Sequence, residues 1–81
     1  MKYIIYDGCY PILFPSHLDH AEIHIGVSKH FEKVTSAGFC KLDDDGKLYC
    51  AGYSKSLSNH LNKTISAKAT DIQVISSHFS E

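Results

Sequence analysis

The stretch SHLDHAEIHIGVSKHF, Ser16 to Phe31, holds four of the six histidines in this sequence. Imidazole is the commonest protein metal ligand, and its ordinary pKa suits proton transfer near neutrality. His17, His20 and His24 recur at i, i+3 and i+7, so one helix would stack them along a ridge. Three chemistries compete for them. The first is packing: half-buried rings whose nitrogens bond backbone carbonyls or neighbouring tyrosines. The second is a metal site. His20-x-x-x-His24 is a bidentate helical pair, but zinc wants three or four ligands in a tetrahedron. Three rings on one straight helix cannot converge on one ion, so His20 and His24 would need a group from elsewhere, such as Cys9 or His78. The third is acid–base or nucleophilic catalysis. Cys9 beside a histidine would make a nucleophile–base pair, and a ring in the first helical turn is favoured in its neutral, basic form. The sequence contains neither H-E-x-x-H nor a nucleophile elbow nor a phosphate-cradling glycine loop. Packing is the reading the residues favour.

Two other clusters invite chemistry and have plainer explanations. Asp43-Asp44-Asp45-Gly46 lacks the alternate acids and the distal glutamate of a calcium loop, and reads as a hairpin turn. Cys40 and Cys50 would face each other across that hairpin. The three cysteines are odd in number and have no C-x-x-C spacing, which points to reduced thiols in a reducing compartment.

The elements that must position these residues follow from pattern. KYIIYD, residues 2–7, is rich in β-branched and aromatic residues and predicts a strand, with a turn at Asp7-Gly8. CYPILF, residues 9–14, predicts an extended edge segment because Pro11 has no N–H for a central ladder. Ser16 with Asp19 resembles a capping box, and the helical pattern runs to Phe31 or Lys33, weakened at Gly26. On a helical wheel Asp19, Glu22, Gly26, Lys29, His30 and Lys33 form the wet face. The three histidines fall in the half that also holds Leu18, Ala21, Ile23, Ile25, Val27 and Phe31.

VTSAGFCKL and KLYCAGY flank the aspartate turn, with Gly46 in the left-handed position. The register then pairs Leu42 with Leu48, Cys40 with Cys50 and Gly38 with Gly52 on one side. Lys41 with Tyr49, Phe39 with Ala51 and Ala37 with Tyr53 lie on the other. The paired glycines would let a helix approach, which makes the cysteine and leucine side the core face. Residues 54–69 read as a polar surface loop with at most one helical turn near Leu57 to Leu61. A last helix starts at Thr70, capped by Thr70 and Gln73. The predicted fold is a single α+β domain over residues 1–81: a three- to four-stranded antiparallel sheet, two helices packed on one face, and the order β-(β)-α-β-β-α.

With both helices on the core face, Phe39, Tyr49 and Tyr53 are left outside. Aromatic residues are enriched at protein interfaces, and an exposed apolar patch on a small domain marks a partner, unless a further strand covers it. Composition prunes the partners. Eight lysines balance nine acids, net charge is −1, and there is no arginine, the residue that reads phosphate and guanine bidentately. The sequence therefore predicts no nucleic-acid binding. No apolar run approaches a bilayer span and the N-terminal residues lack a signal-peptide pattern, so no membrane is expected and the location is cytoplasmic.

The segments PILFP, TSAGF and AGYSKSL resemble stretches of small one-domain bacterial and phage proteins. By class analogy, that resemblance implies an inhibitor of host defence, of the anti-CRISPR type, and assigns no chemistry to any residue. The expected function is a small intracellular protein-interaction module, a possible inhibitor of a host or defence complex, working through Phe39, Tyr49 and Tyr53 on a protein partner or as a homodimer. Neither catalysis nor a cofactor is expected. The alternative is a metal-binding or enzymatic protein built on the 16–31 helix.

Overall fold

The computed structural model describes residues 1–79. KYIIY forms β1 (Lys2–Tyr6), and a three-residue loop returns the chain as β2 (Tyr10–Phe14). Asp7 and Gly8 both sit at positive φ, 55° and 77°, and the Cys9 N–H closes the turn on the Tyr6 carbonyl at 3.0 Å. Asp7 accepts this backbone because its carboxylate takes the N–H groups of Glu32 and Lys33. The four strands run antiparallel in the order β2-β1-β3-β4, which puts Pro11 on an edge strand and β1 in the interior.

β3 (Val34–Leu42) and β4 (Leu48–Ala51) pair in the expected register, Phe39 with Ala51, Cys40 with Cys50, Lys41 with Tyr49 and Leu42 with Leu48. Gly46 has φ +79°, and its N–H bonds the Asp43 carbonyl at 3.0 Å. The ladder ends at Phe39–Ala51. The expected pairs Gly38–Gly52 and Ala37–Tyr53 do not form, because residues 65–67 enter between the two chains. Ser66 accepts from the Ala37 N–H and bridges Tyr53, while the Ala67 N–H reaches the Gly52 carbonyl at 2.9 Å. Gly38 does allow a close approach, but to a strand, not a helix: a Cβ there would lie 2.7 Å from the Ala51 carbonyl oxygen.

The segment 16–31 is not one helix. α1 spans His20–Val27, its N-cap is Asp19, not Ser16, and that cap makes no side-chain hydrogen bond. A helix from Ser16 needs the Leu18 carbonyl for its own ladder, but that oxygen accepts from Lys2 Nζ at 2.8 Å, and the Leu18 N–H turns back to Pro15. At the far end a single 3₁₀ turn (Ser28–His30) follows. Phe31 is extended and stacks on Tyr6, ring centroids 4.4 Å apart. The expected polar loop contains α2 (Lys55–Leu61), started by the Ser54 hydroxyl accepting from the Leu57 N–H. The last helix, α3, spans Asp71–Phe79.

The α+β class and the antiparallel sheet are as the sequence predicts, but the two helices expected on one face, now α1 and α3, lie on opposite faces, and the pair that shares a face is a different one. That pair is α1 and α2, covering Ile4, Tyr6, Phe14, Val34 and Ala37 with Ile23, Leu57 and Ile65. α3 lies against the other face, where Ile75 and Val74 meet Tyr3, Ile5 and Cys40. The expected core face is only partly core. Cys40 is buried, Leu48 and Cys50 are half-buried, and Leu42 is 68% exposed. An open groove of about 690 Å³ runs between Leu42, Leu48, Ile75 and Phe79. Among the described residues no helix is long and apolar enough to cross a membrane.

Candidate functional site

The structure sends the three histidines to different places. His17 is exposed in the turn before α1, contrary to its expected place on an apolar helix side. His20 is 2% exposed. Its Nε2 lies 2.9 Å from the Gly38 carbonyl, so that nitrogen carries the proton and donates. Its ring meets Phe14 and Phe39 edge-on, at 5.3 and 5.7 Å. His24 is half-buried and shares a 2.8 Å hydrogen bond between Nδ1 and the Tyr6 hydroxyl. Desolvation pushes both imidazoles below their ordinary pKa, with His60 beside His24 adding to its shift. The packing reading therefore describes His20 and His24 as they stand, with a backbone carbonyl and a tyrosine as partners. Ile25, expected inside, is 65% exposed, because α1 is too short and too shallowly seated to bury its whole apolar half.

The metal candidates do not converge. His20 turns to β3 and His24 to β1, and among the described residues no group of three or more His, Cys, Asp or Glu side chains is arranged to hold an ion. His24 does meet His60 of α2, ring centroids 5.7 Å apart, beside a depression of about 370 Å³ that also borders Ser28, Glu32 and Lys33. The Tyr6–His24 contact is a neutral hydrogen bond, because burial raises the Tyr6 pKa to about 12 and lowers that of His24, so the proton stays on the phenol. Cys9 and His78 line one shallow depression beside α3, away from α1. All three cysteines are free thiols. Burial raises the pKa of Cys40 and, together with the neighbouring Cys40, raises that of Cys50 to about 11, the opposite of nucleophile activation.

The aromatic side of the β3–β4 hairpin is open. Phe39, Tyr49 and Tyr53 are 45, 43 and 56% exposed. α1 and α2 reach only the β1, β2 and early β3 part of that face. Lysines interleave with the rings. Lys2 Nζ stands 5.8 Å from the Phe39 centroid, and Lys47 Nζ stands 5.9 Å from that of Tyr49. Lys41 is paired with Tyr49, and Lys55 borders a depression of about 540 Å³ shared with Phe39, Tyr53 and Asn59. Buried His20 forms the floor under Phe39, which joins the histidine question to the aromatic one.

One polar cluster escaped the sequence reading. Asp71 is buried, and its carboxylate accepts from Tyr3 Oη at 2.5 Å, Ser36 Oγ at 2.7 Å and the Lys68 N–H at 2.8 Å. Burial, with the Asp71 carboxylate beside it, raises the Tyr3 pKa far above its ordinary value. The signal available was an acid at the start of a helix, which ordinarily caps in solvent. Comparison with protein-family models, with curated proteins and with solved structures found no match to this chain.

Proposed function

We propose that the chain is a protein-interaction module, of the kind that inhibits a host or defence complex, acting by surface binding without catalysis. The observation that carries this reading is the group of Phe39, Tyr49 and Tyr53, each about half exposed on the hairpin part of a sheet face that α1 and α2 cover only in part. Rigid sheet-borne aromatics lose little conformational freedom on binding, and such rings are the residues that anchor interfaces. The rival, a metal-binding or enzymatic use of residues 16–31, has less to stand on, since His20 Nε2 and His24 Nδ1 are already engaged by Gly38 and Tyr6.

The test is a Tyr49→Ala, Tyr53→Ala double variant. Its unfolding free energy is expected within about 1 kcal/mol of the parent, because both rings are already wet. Capture of partner protein from the producing cells is expected to fall at least about tenfold, the effect of losing an anchor worth about 1.4 kcal/mol or more. Capture unchanged in a folded variant rejects the surface, and a collapsed fold shows that the rings belong to the core.

A further inference from the structure

Resting on that reading, we infer that the partner presents an extended segment of alternating acidic and aliphatic residues, which adds as a fifth strand along the free edge of β4. The juxtaposition that points to it is an open strand edge with two chemically different sides. β4 ends the sheet order β2-β1-β3-β4. The Asp43 N–H bonds the Lys47 carbonyl, so Tyr49 and Ala51 direct their main-chain groups to β3. The main-chain groups of Leu48 and Cys50 then point to the outer edge. Among the described residues the hydrogen bonds that join residues 65–67 to this chain begin only at Gly52. Free edges of this kind are what β-augmentation uses.

An added strand alternates its side chains between the two faces. On one face it meets Tyr49 and Tyr53 with Lys47, Lys55 and Lys41 around them, while Lys2 is engaged by the Leu18 carbonyl and Asp19. The acids nearby lie off the edge strand, beside Lys2 or in the hairpin turn. Asp19 sits 4.0 Å from Lys2 Nζ, the Asp43 carboxylate takes the N–H groups of Asp45 and Lys47, and Asp44 and Asp45 lie at the hairpin tip. Along the edge itself, residues 46–55 carry Lys47 and Lys55 and no acid, so carboxylates on the incoming strand complement it. On the other face the strand meets half-buried Leu48 and Cys50, with Leu48 at the rim of the groove formed with Leu42, Ile75 and Phe79. That side wants aliphatic groups. A second copy of the chain is a poor occupant, because β4 paired with β4 brings lysine-bearing faces together.

The experiment is amide NMR titration of the full chain with synthetic peptides of about ten residues, a usual strand length. The probes are an alternating Glu-Val peptide, a block peptide of the same composition, and an alternating Lys-Val peptide, with oligothymidylate as a nucleic-acid control. The alternating acidic peptide is expected to shift residues 48–55 saturably and to slow hydrogen exchange of the Leu48 and Cys50 amides. Binding is expected to weaken about tenfold between about 0.05 and 0.5 M salt. A Lys47→Gln, Lys55→Gln variant should weaken it similarly, and the block and basic peptides should bind at least about tenfold less well. Equal binding of acidic and basic peptides, or binding undiminished in the lysine variant, overturns the acidic segment. If capture of the natural partner still depends on Tyr49 and Tyr53, the surface itself survives that result. Tighter binding of oligothymidylate at the same residues, or a dimer by sedimentation that leaves the edge amides protected without peptide, overturns the occupant. No shift with any probe also overturns it.

Discussion

His20 and Asp71 are both buried, and each bonds groups distant in sequence. The folded state holds His20 and His24 neutral, with pKa below the ordinary 6.5. As pH falls below about 6.5 the unfolded chain takes up protons that the folded chain refuses, so stability is present above that pH and is lost below it. Denaturant midpoints measured from pH 7.5 down to 5 should fall steadily. His20→Gln, which keeps a donor for the Gly38 carbonyl, should flatten the slope. At the alkaline end Cys50, raised to about 11, and Tyr6, raised to about 12 by burial, stay protonated in the fold while the unfolded groups ionise. Stability should therefore fall again above about pH 9. Asp71→Ala leaves the Tyr3 and Ser36 hydroxyls without their acceptor and is expected to cost about 3 kcal/mol or more, against about 1 kcal/mol for Ser36→Ala, both read by denaturant titration. Equal losses in the two variants would show that the three groups do not share one site. None of this could be read from Asp71 in the sequence, since the acid looks like a solvent-facing start to a helix. Its partners Tyr3 and Ser36 lie 68 and 35 residues away.

Among the elements, the β3–β4 hairpin was the most legible, because a local turn sets a local register. Gly46→Ala is expected to cost about 1 kcal/mol, since a left-handed residue is required at φ +79° and a Cβ would gain no contact in the open space around it. An unchanged unfolding midpoint would mean that the turn relaxes into another type. Pro11 likewise announced an edge. The helix over 16–31 was overcalled, because periodicity cannot know that the Leu18 carbonyl is taken by Lys2 or that Phe31 is pulled flat against Tyr6. α2 was undercalled for the converse reason. SKSLSNHL is polar, and its two turns exist because Leu57 is fully buried and Ser54 caps it.

For the whole molecule, Phe39, Tyr49 and Tyr53 are exposed as expected but for a different reason: the sequence put both helices on the other face, whereas α1 and α2 lie on the aromatic face and stop short of the hairpin, and the placement of α3 on the opposite face was not legible. A helix amphipathic along Val74 and Ile75 fits either side of a sheet that is apolar on both, and the buried Asp71 bonds decide between them. Those bonds also govern when the chain can fold. The interior strand β1 is the first made, and its hairpin with β2 can close early, yet Tyr3 finds its acceptor only after residue 71 has been synthesised. With its central β1–β3 pairing and its polar anchor both distant in sequence, the chain must close long loops before those contacts form, which slows folding relative to a helical bundle of the same size. A nascent chain stalled anywhere before α3 would hold both an unfinished sheet and an unsatisfied tyrosine, a state that chaperones and proteases meet before any partner does.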